Sequence, residues 1–215
     1  LEELEFTEAA LAADPDTGGL AAPFQEEIAA WEALYKKVRE SRRASVRADA
    51  VVSVRDERLD ELTAELGGHL YVAAGRDRSS PLFRRFFPAA PSELVRQPLR
   101  KQAEQVKNVI VPELAKLEDG SPAKPFGEAL GSTALGALTA LDTRAELRGN
   151  AARVSAEVDE WKEGVNRLRT TTFAELLKLG TEKRRGRKWP DAFFRAADGA
   201  VEEETDAPAI TPAGG

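Results

Sequence analysis

From Pro23 to about Ala74 the chain contains no proline after its first residue, and its large apolar side chains keep a helical rhythm. Phe24, Ile28, Trp31, Tyr35 and Val38 are spaced by 4, 3, 4 and 3 residues. That spacing places them on one face of an α-helix, as in a coiled-coil seam. Continued in the same rhythm, the seam passes Arg42, Ser45, Asp49, Val52, Asp56, Leu59, Thr63, Leu66 and Leu70. It is apolar at both ends and polar in the middle. Gly67-Gly68 predicts a break or kink near the end of this helix.

A second long helix is expected from about Phe126 to Gly180, with Leu130, Ala134, Leu138, Leu141, Ala145, Ala152, Trp161, Val165, Leu168, Phe173 and Leu176 on its buried face. A shorter helix is expected between them, from about Glu93 to Leu117, with Pro98 in its first turn and a kink at Pro112. Turn clusters separate these segments at Asp14–Gly19, Gly75–Pro81, Pro88–Pro91, Asp119–Pro125 and Arg185–Pro190. Leu1–Ala13 and Pro190 to about Val201 read as further short helices. No stretch shows sustained alternation with β-branched enrichment, so no sheet is expected.

Arg43-Ala44-Ser45-Val46-Arg47-Ala48-Asp49-Ala50 aligns without gaps with Arg144-Ala145-Glu146-Leu147-Arg148-Gly149-Asn150-Ala151. Downstream the register loosens, but each half ends in a loop and a phenylalanine pair, Phe86-Phe87 and Phe193-Phe194. The expectation is an all-α, elongated helical bundle. Its two long helices are related by an internal duplication, with a shorter middle helix and a C-terminal accessory helix. The corresponding division is an N-terminal helix and linker over 1–22, then one bundle domain over 23–200 and an acidic Pro/Gly-rich tail over 201–215. Within the bundle, repeat 1 covers about 24–90, the middle helix 93–118 and repeat 2 about 126–198.

Residue content removes several kinds of chemistry. The 215 residues include no cysteine, which excludes disulfides, thiolate nucleophiles and the usual zinc sites. The single His69 has Glu65 at i−4 and no second histidine to complete a ferritin-like pair, so no metal and no cofactor are expected. The longest uncharged stretch, Ala129–Leu141, has 13 residues, short of the roughly 18–20 that span a bilayer. The net charge is −6, of which −5 falls on the last eighteen residues, leaving a nearly neutral body of mixed sign. The chain opens on Leu1-Glu2-Glu3 and has no methionine, which reads as a processed or trimmed chain. A cytoplasmic location is the default expectation.

Three groups of residues are candidates for function. Arg43, Arg47, Asp49, Arg144, Arg148 and Asn150 form an expected buried polar layer, read as a register-fixing network or as an anion site between helices. Lys183, Arg184, Arg185, Arg187 and Lys188 form a basic cluster beside Trp189, suited to phosphate or an acidic partner. Phe24, Trp31, Tyr35, Phe86 and Phe87 are expected to form aromatic ends that seek a partner. Gly127, Gly131 and Gly136 give one helix segment a small-residue face suited to a tight crossing. No catalytic motif is present. The expected function is therefore a non-enzymatic structural or scaffold protein, self-associating or bound to a protein partner. The alternatives are a nucleic-acid or acidic-partner adaptor using 183–188, and a ligand-binding bundle using the arginine-rich layer.

Overall fold

The computed structural model describes residues 1–195, and every regular element among them is helical. The elements are α1 (Glu2–Ala13), α2 (Ala22–Ala73), α3 (Pro81–Phe86), α4 (Pro91–Val95), α5 (Leu99–Gln105), α6 (Val111–Ala115) and α7 (Phe126–Glu182). Short 3-10 turns occupy Gly18–Leu20 and Trp189–Phe193. The all-α reading with two long helices and shorter ones between and after them holds. The acidic tail over 201–215, and the last part of the C-terminal helix expected to reach Val201, lie outside the described residues. The described residues form two compact units, Leu1–Leu34 with those from Val158 on, and Tyr35–Glu157, each containing a stretch of both long helices.

In the Tyr35–Glu157 unit the core gathers Leu59, Leu62, Leu66 and Leu70 of α2 with Leu130, Ala134 and Ala137 of α7. The short helices cover this pair. Ser80 starts α3 by accepting a hydrogen bond from the Phe83 amide at 3.2 Å, and Pro81 fits the first turn, where no amide is required. The turn delivers Phe83, Phe86 and Phe87 into the core, all fully buried. Each such burial contributes about 1.5–3 kcal/mol.

Gly67-Gly68 does not break α2, which continues to Ala73. Packing explains Gly67: a Cβ there would stand 2.8 Å from Cγ of Pro91, so the missing side chain lets the start of α4 lie against α2. The middle segment is not one helix. Pro98 caps α5 and separates it from α4. Further on, the chain widens into a π-turn over Val106–Ile110, where the Val111 amide donates to the Val106 carbonyl, before resuming as α6. Pro112 has no amide to donate and its ring crowds the preceding turn, so a wide turn just before it absorbs the conflict. The small-residue face of α7 receives α6 at close range: Gly127 lies under Leu114, and Gly131 under Val111.

In the other unit, Leu4 and Leu11 of α1 pack with Phe24 of α2, Val165 and Leu176 of α7 and Phe193. Thr17, in the turn after α1, donates its hydroxyl to the Leu11 carbonyl at 2.8 Å, satisfying an end group of that helix. Trp31 and Trp161 lie with ring centroids 4.6 Å apart, and the Trp161 indole donates to the Glu27 carbonyl at 3.2 Å. Ion pairs of Arg169 with Glu3 and of Lys183 with Asp16 tie α1 to α7 and the turn after α1 to the residue following α7.

Candidate functional site

The polar layer expected inside the helix pair lies at its surface. Arg43, Arg47, Asp49, Arg148 and Asn150 are exposed and Arg144 is half-buried. Arg148 donates to Asp49 at 3.2 Å, and Arg144 approaches the same carboxylate at 3.9 Å. The physical reason is a choice between adjacent positions on α2. Leu34, Ala48 and Val52 take the inward face, while Tyr35, Arg42 and Asp49 turn out, because burying a charge costs more than burying a small apolar side chain gains.

The aromatic ends expected to await a partner are largely covered within the chain. Phe24, Phe86 and Phe87 are buried, and Trp31 is half-buried against Trp161. Tyr35 is half exposed, with the Arg39 guanidinium over its ring. The basic cluster is exposed throughout. Asp16 faces it, accepting hydrogen bonds from Lys183 at 2.8 Å and Arg185 at 3.3 Å. Those two bonds hold the Asp16 carboxyl below its usual pKa. Among the described residues Arg184, Arg187 and Lys188 form no ion pair. His69 lies near the end of α2, its ring centroid 5.1 Å from that of Phe126. Among the described residues no cluster of acidic or histidine side chains is arranged to hold a metal ion, and no helix is long and apolar enough to cross a membrane.

What the structure does assemble is a groove between α2 and α7 inside the Tyr35–Glu157 unit. Near Val52, Ala140 and Leu141 the N-terminal end of α5 packs on the helix pair through Leu99. A different face of the pair is open. Ala44, Arg47, Ala48, Val51 and Arg55 of α2 form one wall, and Ser132, Leu135, Gly136, Thr139, Ala140, Thr143 and Leu147 of α7 form the other, enclosing about 740 Å³. Val51 and Leu135 are about half exposed, at 50% and 53%.

Two arginines border this apolar floor. The Arg55 guanidinium reaches across to α7, its Cζ 3.4 Å from where a Cβ on Gly136 would stand. Arg47 lies two turns earlier on α2, roughly 12 Å away along the axis at 1.5 Å per residue. Among the described residues no acidic one lines the groove and neither arginine has a carboxylate partner. On the α7 wall Thr139 spends its hydroxyl proton on the Leu135 carbonyl, and Ser132 on that of Ala129. The two arginines are therefore the groove's unpaired charged donors among the described residues, beside the Thr143 hydroxyl, and its local charge is positive.

A separate polar contact joins α2 to α5. Gln102, fully buried, donates its amide to Asp60 at 2.7 Å, and its side-chain oxygen has no partner among the described residues. Asp56, one turn earlier, has its pKa raised by desolvation, with the nearby Asp60 and Glu57 charges adding to the effect.

Of the groove residues, the sequence singled out Arg47 as part of the polar layer and Gly136 as a small-residue position, but not Val51, Arg55, Leu135, Thr139 or Leu147 as a site. A signal existed in Val51, an apolar residue lying off the buried stripe of a helix that is largely charged on its outer face. No protein-family model, curated protein or solved structure matches this chain.

Proposed function

We propose that this protein works through protein–protein contacts as a non-enzymatic helical scaffold, with the α2/α7 groove of the Tyr35–Glu157 unit as a docking surface. The observation that carries the reading is the pair Val51 and Leu135: apolar side chains, half exposed, one from each helix, lining a groove that no short helix among the described residues covers. An uncovered apolar strip between two parallel ridges is the shape that receives the apolar face of another helix. Its half-exposed floor suits a helix better than a small molecule, which a ligand pocket buries over most of its surface.

Selection of helical peptides from a displayed library on the immobilised protein tests this reading. Enriched peptides should bind the native chain and lose binding to Val51→Asp/Leu135→Asp. Enrichment indifferent to those substitutions would remove the groove from the proposal.

A further inference from the structure

We infer that the groove takes an acidic amphipathic helix supplied by a partner protein, an inference that rests on the docking reading above. The groove spans Ala44 to Arg55 on α2 and Ser132 to Leu147 on α7. At 1.5 Å per residue these stretches are roughly 16 and 22 Å long, the length of a helix of about 11–15 residues. Its floor is alkyl: Ala48, Val51, Leu135 and Leu147. Among the described residues, Arg47 and Arg55 stand at its edge without a carboxylate. An occupant that buries the floor must also bring anions to the edge, because a desolvated arginine without a partner is costly. Two carboxylates seven or eight residues apart on one side of a helix match the Arg47–Arg55 spacing, with apolar residues between them at helical intervals.

The same charges discriminate against other occupants. Placing this groove on the same groove of a second copy would gather Arg47 and Arg55 of both chains around a seam whose lining has no acid. Nucleic-acid phosphates would satisfy the arginines but leave Val51, Leu135 and Leu147 facing a charged strand. A cationic helix would meet like charge.

The test uses the full chain and two capped synthetic helices with identical apolar faces, one with glutamates eight residues apart at the edge and the other with lysines there, measured by fluorescence anisotropy. The glutamate peptide should bind at least tenfold more tightly than the lysine peptide and weaken with added salt. In Arg47→Glu/Arg55→Glu the preference should invert. Both positions are exposed, and a matching thermal melt checks that the variant is folded. Leu135→Asp should weaken both peptides. Equal binding of the two peptides by the native chain overturns the acidic-partner inference while leaving helix docking intact. Binding of neither peptide overturns both readings. Micromolar dimerisation abolished by Leu135→Asp would overturn the acidic-partner inference while leaving the groove a protein-docking surface, and saturable binding of dodecanoate in the groove in place of the peptides would overturn both.

Discussion

Gly75 and Arg184 hold the same position in two copies of one helix end. After α2 the Ala74 amide donates to the Leu70 carbonyl, Gly75 to Val72 and Arg76 to Tyr71. After α7 the Lys183 amide donates to Leu179, Arg184 to Thr181 and Arg185 to Gly180. Both sets follow the same offsets, and in both the longest loop closes around a left-handed residue, with φ +65° at Gly75 and +55° at Arg184. This is a Schellman turn, built once with glycine and once without it.

A side chain in that conformation costs roughly 1–2 kcal/mol, partly offset by the freedom that glycine restores to the unfolded chain. Arg184→Gly should therefore stabilise the protein by about 0.5–1 kcal/mol, and Gly75→Ala should destabilise it by a similar amount. For a chain of this size each change moves Tm by about 2–4 °C per kcal/mol, readable in a thermal melt. A fall in Tm for Arg184→Gly would mean that the arginine makes a stabilising contact that outweighs its backbone cost.

Gly67 and Gly68 are neighbours on α2 with opposite requirements. A methyl at 67 would strike the Pro91 ring, which is fixed to the backbone and cannot swing away; a methyl at 68 meets nothing within 4 Å. Gly68→Ala should gain about 0.5–1 kcal/mol of helix propensity. Gly67→Ala receives the same propensity gain but pays an overpacking cost of about 1–3 kcal/mol, and should melt below Gly68→Ala. Equal gains at both sites, measured by urea unfolding, would show that α4 does not press on α2.

The helical class, the two long helices and much of their buried faces were legible because breakers and apolar spacing act locally. Phe24, Leu59, Leu66, Leu130 and Leu176 are buried where the rhythm places them. Three features were not legible. Gly67-Gly68 read as a break or kink, yet α2 runs through it unbroken, since nothing local says that Pro91 will need the space. Pro112 read as a kink within one helix, yet the strain is taken up by a π-turn before it. The aromatic ends read as exposed because spacing does not encode the long-range event by which α3 and the residue after it bring Phe83, Phe86 and Phe87 back over Leu59–Leu70. The groove was missed for the converse reason: a face left uncovered is decided by where α5 and α6 go.

Asp56 provides a pH test. Desolvation, reinforced by Asp60 and then Glu57, raises its pKa above the ordinary aspartate value of 3.8. The folded state therefore binds more protons than the unfolded state just above that value, and this contribution to stability falls as pH rises through the window. Asp56→Asn should accordingly raise Tm at pH 7, with the advantage shrinking as pH drops below about 4. An advantage that stays constant from pH 7 to pH 3 would assign the effect to packing instead of ionisation.

Asp49 and Ala48 sit side by side on α2 and should respond very differently to substitution. The Asp49 carboxylate meets Arg148 at 3.2 Å, but their side chains are 51% and 61% exposed, so water and salt screen the pair. Asp49→Ala should cost less than about 1 kcal/mol, the range of exposed ion pairs, and the loss should shrink further in high salt. Ala48 is only 7% exposed, on the inward face. Ala48→Asp would force a carboxylate into the seam between α2 and α7 and should cost on the order of 2–3 kcal/mol or unfold the pair locally. Urea unfolding of the two variants side by side checks the assignment. A larger loss for Asp49→Ala than for Ala48→Asp would mean that the charged cluster, and not the alanine, lies between the helices.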